Sequence, residues 1–169
     1  EVALNEQALA ECRRKSTLLV RYVIDRKDPF EELVKACPAD SLLPEHLTAA
    51  LRIAAREGRL PTMARLVERG ADVNGQRGQE TPLLAATRES RRDVVRWLVD
   101  RKADVNWADA EGFTPLMRAA EKGNLELVEL FLAKGAKRDL KNKKGRMAIH
   151  FAQENKMKGI EDRLADYTR

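Results

Sequence analysis

The feature that most restricts this chain is a unit returning every 33 residues. Thr81-Pro82-Leu83 comes back as Thr114-Pro115-Leu116, and Met147-Ala148-Ile149 stands one interval further on. Ala-Asp-Val-Asn occurs at 71–74 and again at 103–106, and the Ala54-Ala55 and Gly58 pattern returns as Ala119-Ala120 and Gly123. The clearest copy, 109–145, can be read residue by residue. Asp109 and Gly112 bound a turn. Thr114 suits a helix N-cap, since its hydroxyl can accept a bond from an orphan backbone N–H, and Pro115 suits the first helical position. Leu116, Ala119 and Ala120 give that short helix a small-residue apolar face. Gly123 ends it in the left-handed conformation. Leu125, Leu127, Val128, Leu130, Phe131 and Leu132 make a second, greasier helix that Gly135 stops. A pair of this kind cannot bury both apolar faces alone, so it needs similar neighbours.

These units resemble ankyrin repeats, a family with about 33 residues per repeat and a Thr-Pro-Leu-His-x-Ala signature. The resemblance implies an all-α solenoid of stacked antiparallel helix pairs with β-hairpin-like loops along one edge. It also implies a non-catalytic module that binds a partner protein or peptide, with no cofactor. His150 matches the motif histidine and is expected to bond neighbouring backbone; Leu84 stands where the family has that histidine. Ser90 and Lys102 stand where it has glycine, a departure worth about 1 kcal/mol each if the backbone stays left-handed there.

In chain order, residues 1–28 read as a degenerate N-terminal capping repeat. Its stretch 19–27, shifted by 75, lies over 94–102 with identical or conservative residues throughout. Residues 29–44 read as an inserted helix and connector, with Pro29 at its start and Pro38 after its end. Repeats follow at 45–77, 78–109 and 110–142. Residues 143–169 read as a C-terminal capping repeat, with Ile160 and Leu164 facing in and a polar outer face, as the end of a stack requires. The chain begins with Glu1, which suggests an excised fragment.

Charged residues are 35% of the chain and both signs are mixed, for a net +5, so the surface is soluble and mildly basic. No run reaches the 18 apolar residues that would suggest a membrane span. Cys12 and Cys37 lack metal-ligand spacing and read as buried, reduced thiols, which points to an intracellular, reducing compartment, cytoplasmic or nuclear. A secreted bacterial effector acting in a host cell also carries such arrays.

No nucleophile, base or metal set converges in the sequence. His46 and His150 both stand at helix starts, and Gly75-Gln-Arg-Gly78 lacks the Lys-Ser/Thr of a phosphate loop. What remains is surface. The resemblance places partner contacts on a concave face of inner helices and hairpin tips. Carried over position by position, these are Arg56, Arg88, Trp107, Glu111, Phe113, Arg118, Lys122, Lys141, Lys143, Lys144 and Arg146. Trp107 and Phe113 flank one hairpin as an aromatic anchor, with Phe113 expected to be exposed. Residues 134–146 carry seven basic side chains against the single acid Asp139, a patch suited to an acidic peptide or a phosphate-bearing ligand. The alternative is a domain that senses a nucleotide or oligonucleotide for a neighbouring domain, although stacking aromatics are few. Asn74 and Asn106 each end an Ala-Asp-Val-Asn run with a leucine eight residues earlier, and resemble the asparagine that an oxygen-dependent hydroxylase modifies. The competing reading is that each braces its turn through side-chain bonds to backbone. A monomer is the expected state.

Overall fold

The computed structural model describes residues 10–12, 14, 37, 43–76 and 79–165. The first-repeat helices and the inserted helix expected over 6–36 fall almost wholly outside this set. So does the centre of the turn before Glu80. From residue 44 onward the chain alternates short helices: α1 Pro44–Glu57, α2 Leu60–Glu68, α3 Pro82–Arg88, α4 Arg92–Asp100, α5 Pro115–Glu121, α6 Leu125–Ala133, α7 Ala148–Glu154 and α8 Lys158–Ala165. Each odd-numbered helix packs on the even-numbered helix after it, and the odd-numbered, inner helices pack in sequence as α1, α3, α5 and α7. This is an all-α stack of helix pairs, and no strand occurs among the described residues. The expected β-hairpins are tight turns.

The local chemistry accounts for these elements. Thr81 accepts the Leu84 N–H at 3.0 Å, and Thr114 accepts the Met117 N–H at 3.3 Å. Pro82 and Pro115 follow at positions whose N–H has no helical partner. In α7 the cap is inverted, because Met147 has no hydroxyl. The Nδ1 of His150 accepts the Met147 N–H at 2.9 Å, so the motif histidine does bond backbone. Between the helices of each pair the chain reverses through one left-handed residue: Gly58, Ser90, Gly123 and Lys156, at φ of 81°, 54°, 68° and 55°. Lys102 is also left-handed, at φ 66°. A side chain there costs roughly 1–2 kcal/mol relative to the right-handed region, and glycine removes that strain at the expense of a more flexible unfolded chain. Ser90→Gly and Lys102→Gly are therefore each expected to raise unfolding free energy by about 0.5–1 kcal/mol, read as a higher urea midpoint.

The core runs the length of the stack. Ala54, Ala55, Ala85, Ala86, Ala119, Ala120 and Ala152 are fully buried and let the inner helices approach closely. Met63, Leu66, Leu98, Leu127 and Phe131 fill the space beneath the outer helices. Leu83 and Leu116 are sealed between consecutive inner helices, whereas Ile149 at the same register is only partly buried. Ile160 and Leu164 face inward from α8, and Lys158, Asp162 and Arg163 face solvent.

The cysteines depart from expectation. Cys12 and Cys37 are buried, but they are joined in a disulfide with Cα atoms 5.7 Å apart. The Arg69 guanidinium, from the end of α2, donates to the Cys37 carbonyl at 2.9 Å. That contact seats residue 37 against the body of the stack. A separation of 25 residues in sequence says nothing of this proximity, so isolated spacing was a poor guide to the redox state. The inference of a reducing compartment loses its premise. No helix among the described residues is long and apolar enough to cross a membrane.

Candidate functional site

The turn tips, with the inner-helix side chains that reach them, are the candidate strip, and the tips are tightly organised. The Asp109 carboxylate accepts the backbone N–H groups of Glu111 at 3.0 Å and Phe113 at 2.9 Å. One unit later Asn142, itself buried, does the same for Lys144 and Arg146, both at 3.0 Å. The Lys143 N–H then donates to the Glu111 carbonyl at 3.0 Å, tying one tip to the next. Gly112 is indispensable to this arrangement. Its φ is 79°, and a Cβ there would lie 2.9 Å from the Asn142 Cα and 3.1 Å from the Lys143 nitrogen.

Each tip is also clamped to its own inner helix. Arg118 of α5 reaches Asp109 at 3.2 Å and Glu121 at 3.0 Å. Its guanidinium lies 3.7 Å over the Phe113 ring. Phe113 in turn meets Phe151 with ring centroids 5.4 Å apart, and Arg146 lies 4.0 Å over Phe151 while pairing with Glu154. The expectation of a projecting Phe113 is therefore corrected. It is half-buried in a layered Arg–Phe–Phe–Arg cluster, because position 151 offers a ring at the distance and tilt that favour aromatic pairing.

At the other end of the strip three arginines surround one carboxylate. Glu80 lies 2.8 Å from Arg88, 2.9 Å from Arg56 and 3.8 Å from Arg52. Arg88 also approaches Glu89 at 3.6 Å. The candidate residues thus fall into two groups. Arg56, Arg88, Phe113, Arg118 and Arg146 are held in internal pairs. Glu111, Lys122, Lys141, Lys143 and Lys144 are exposed, and none of the four lysines has an ion pair among the described residues. Trp107 is half-buried beside the same tips. Lys134 and Lys137 add two more exposed cations on the loop after α6. Arg52 and Asn142 were not singled out from the sequence, yet with Glu80 and Asp109 they set the geometry. The 33-residue register that Asn142 shares with the turn residue Asp109 was the signal that could have found it.

The asparagines bridge units and do not simply brace their own turns. The Asn74 side-chain oxygen accepts the Asp104 N–H at 2.7 Å, and that of Asn106 accepts the Lys137 N–H at 2.8 Å. The Asn106 amide also donates to the Gly135 carbonyl at 3.2 Å. Their own turns are held by Asp72 and Asp104, whose carboxylates accept the Asn74 and Asn106 N–H groups, each at 2.8 Å. Among the described residues no group of three or more His, Cys, Asp or Glu side chains converges as metal ligands would.

Comparison with known families agrees with this architecture. A family model described as ankyrin repeats in three copies matches residues 19–109, and one described as ankyrin repeats in many copies matches residues 98–152. The first match spans more than half of the chain, and the chain belongs to the ankyrin repeat family. Members of this family are in general protein–protein interaction modules and are not, as a rule, enzymes. No curated protein matches the chain.

Proposed function

We propose that this protein is a non-catalytic docking module that binds an acidic protein segment along its turn tips and inner helices. Contact centres on Lys122, Lys141, Lys143 and Lys144 beside Trp107 and Glu111. The observation that supports this reading is the division of the cations. The arginines of the strip hold the tips in place, while the tip lysines stand exposed without an ion pair among the described residues. A surface fixed in advance loses little conformational freedom on binding. Exposed like charges at its edge raise the association rate of an oppositely charged partner.

The test is a charge reversal at two solvent-facing positions. With a partner obtained by affinity capture on the intact array, Lys143→Glu with Lys144→Glu is expected to weaken binding by about tenfold or more, mostly through a slower association rate. The dependence of affinity on salt flattens at the same time, because screened surface attraction is what has been removed. Unchanged affinity and unchanged salt dependence would rule out this assignment. So would a thermal-shift screen in which nucleotides or short RNA stabilise the protein and displace the captured partner.

A further inference from the structure

One charged cluster is built into the stack without being required by it. Arg52 and Arg56 stand one turn apart on α1, and Arg88 ends α3, the inner helix packed beside it. Glu80, just before the Thr81 cap, lies within 3.8 Å of all three guanidinium groups. At the same register one unit on, positions 80 and 88 are Phe113 and Glu121, and α5 packs on α7 all the same. Stacking therefore does not need three arginines here. Nor does Glu80, since partly exposed ion pairs add little to stability and one partner would neutralise it.

Glu80 organises these arginines without saturating them. Its side chain is 18% exposed, against 29%, 39% and 37% for Arg52, Arg56 and Arg88, so the acid is the inner member and the arginines form the rim. The covered Arg56 Nε–H has no acceptor among the described residues. Glu89 meets Arg88 alone of the three, at 3.6 Å. Glu57, next along α1, lines a separate cleft with Ser90 and Arg91. Three cations thus surround one inner carboxylate, with a second acid at the edge, and the cluster is short of both negative charge and acceptors.

We propose that this cluster binds a phosphorylated serine or threonine side chain of a partner protein. A phosphomonoester carries close to two negative charges at neutral pH and several strong acceptor oxygens, which supplies what Glu80 leaves lacking. A carboxylate would supply half the charge. The planar guanidinium fork bonds a phosphate through parallel N–H groups, and this geometry is what arginine has and lysine lacks. Arginine clusters are an established means of reading phosphorylated motifs. The notch beside the cluster is lined by Thr48, Gln76, Gln79 and Pro82, and its described lining holds no ring on which a base could stack. Its hydroxyl and amide groups suit an extended peptide backbone instead. The site adds a second contact to the docking reading and does not rest on the tip lysines.

The experiment uses the full chain, followed by the side-chain N–H resonances of its arginines. The probes are a short acidic peptide with one phosphoserine and the same peptide with serine or glutamate in its place. The phosphoserine peptide is expected to shift the Arg52, Arg56 and Arg88 resonances saturably and to bind about tenfold more tightly than either counterpart. Arg56→Lys with Arg88→Lys keeps the charge and removes the forks. It should abolish that preference while leaving the urea midpoint almost unmoved. Lys143→Glu with Lys144→Glu, which tests the tips, should leave the ratio between phosphoserine and serine peptides unchanged, so failure at the tips and failure here are told apart. Four results would overturn the proposal: equal binding of the phosphoserine and glutamate peptides, a preference that survives the two lysine substitutions, a preference lost in the tip variant, or tighter binding of a nucleoside monophosphate or of phosphoinositide vesicles at the same arginines.

Discussion

Replacing Gly112 by alanine is expected to lower the unfolding free energy by about 3 kcal/mol, the sum of a left-handed side chain and a backbone overlap that cannot relax cheaply. The added Cβ would sit 2.9 Å from the Asn142 Cα, and the neighbouring atoms are main chain. Moving them would break the Lys143 to Glu111 bond that joins the tips and would disturb the Asn142 side chain that holds the next turn. Gly145→Ala is the control, at the same register and nearly the same φ, with open space around the site. It should cost only about 1 kcal/mol. Urea unfolding followed by circular dichroism measures both. If the two variants lose equal stability, the tips do not stack as described.

Leu116→Ala is expected to cost about 3 kcal/mol, within the range for truncating a buried leucine whose surroundings cannot close the cavity. Leu116 belongs to α5, which packs between α3 and α7, and has 1% of its surface exposed. Ile149→Ala removes a side chain of similar size from the equivalent position, but that side chain is only partly covered. Its loss should come nearer 1 kcal/mol, because less apolar area leaves contact with protein. The same unfolding experiment decides the matter. Equal losses at the two positions would show that the last inner helix is as well sealed as the others.

The helix pairs were legible in the sequence because their signals are local. Thr81 and Thr114 act as caps within three residues of themselves. His150 acts within its own turn, and Ser90 and Lys102 keep the left-handed geometry that the repeat register demanded. The surface was less legible because its side chains act between units. Phe113 could be taken for a projecting anchor until Phe151 and Arg118 were placed against it. Arg56 and Arg88 read as available cations until Glu80 was found between them. Asn74 and Asn106 read as turn braces, yet their side-chain oxygens accept from backbone some 30 residues further on. The disulfide was hidden for the same reason, since Cys12 and Cys37 meet only through the fold.

The double tethering of the tips has a further consequence. Asp109 and Arg118 fix a tip to its own helix, and the Lys143 to Glu111 bond fixes it to its neighbour. The distance between adjacent tips is therefore set by the rise of one helix pair on the next, and hardly at all by loop conformation. A ligand that touches two tips at once is gauged against a ruler whose graduations are the repeats themselves. Insertion or loss of one repeat would shift its reading by a whole division, where a change of a single side chain alters only one mark.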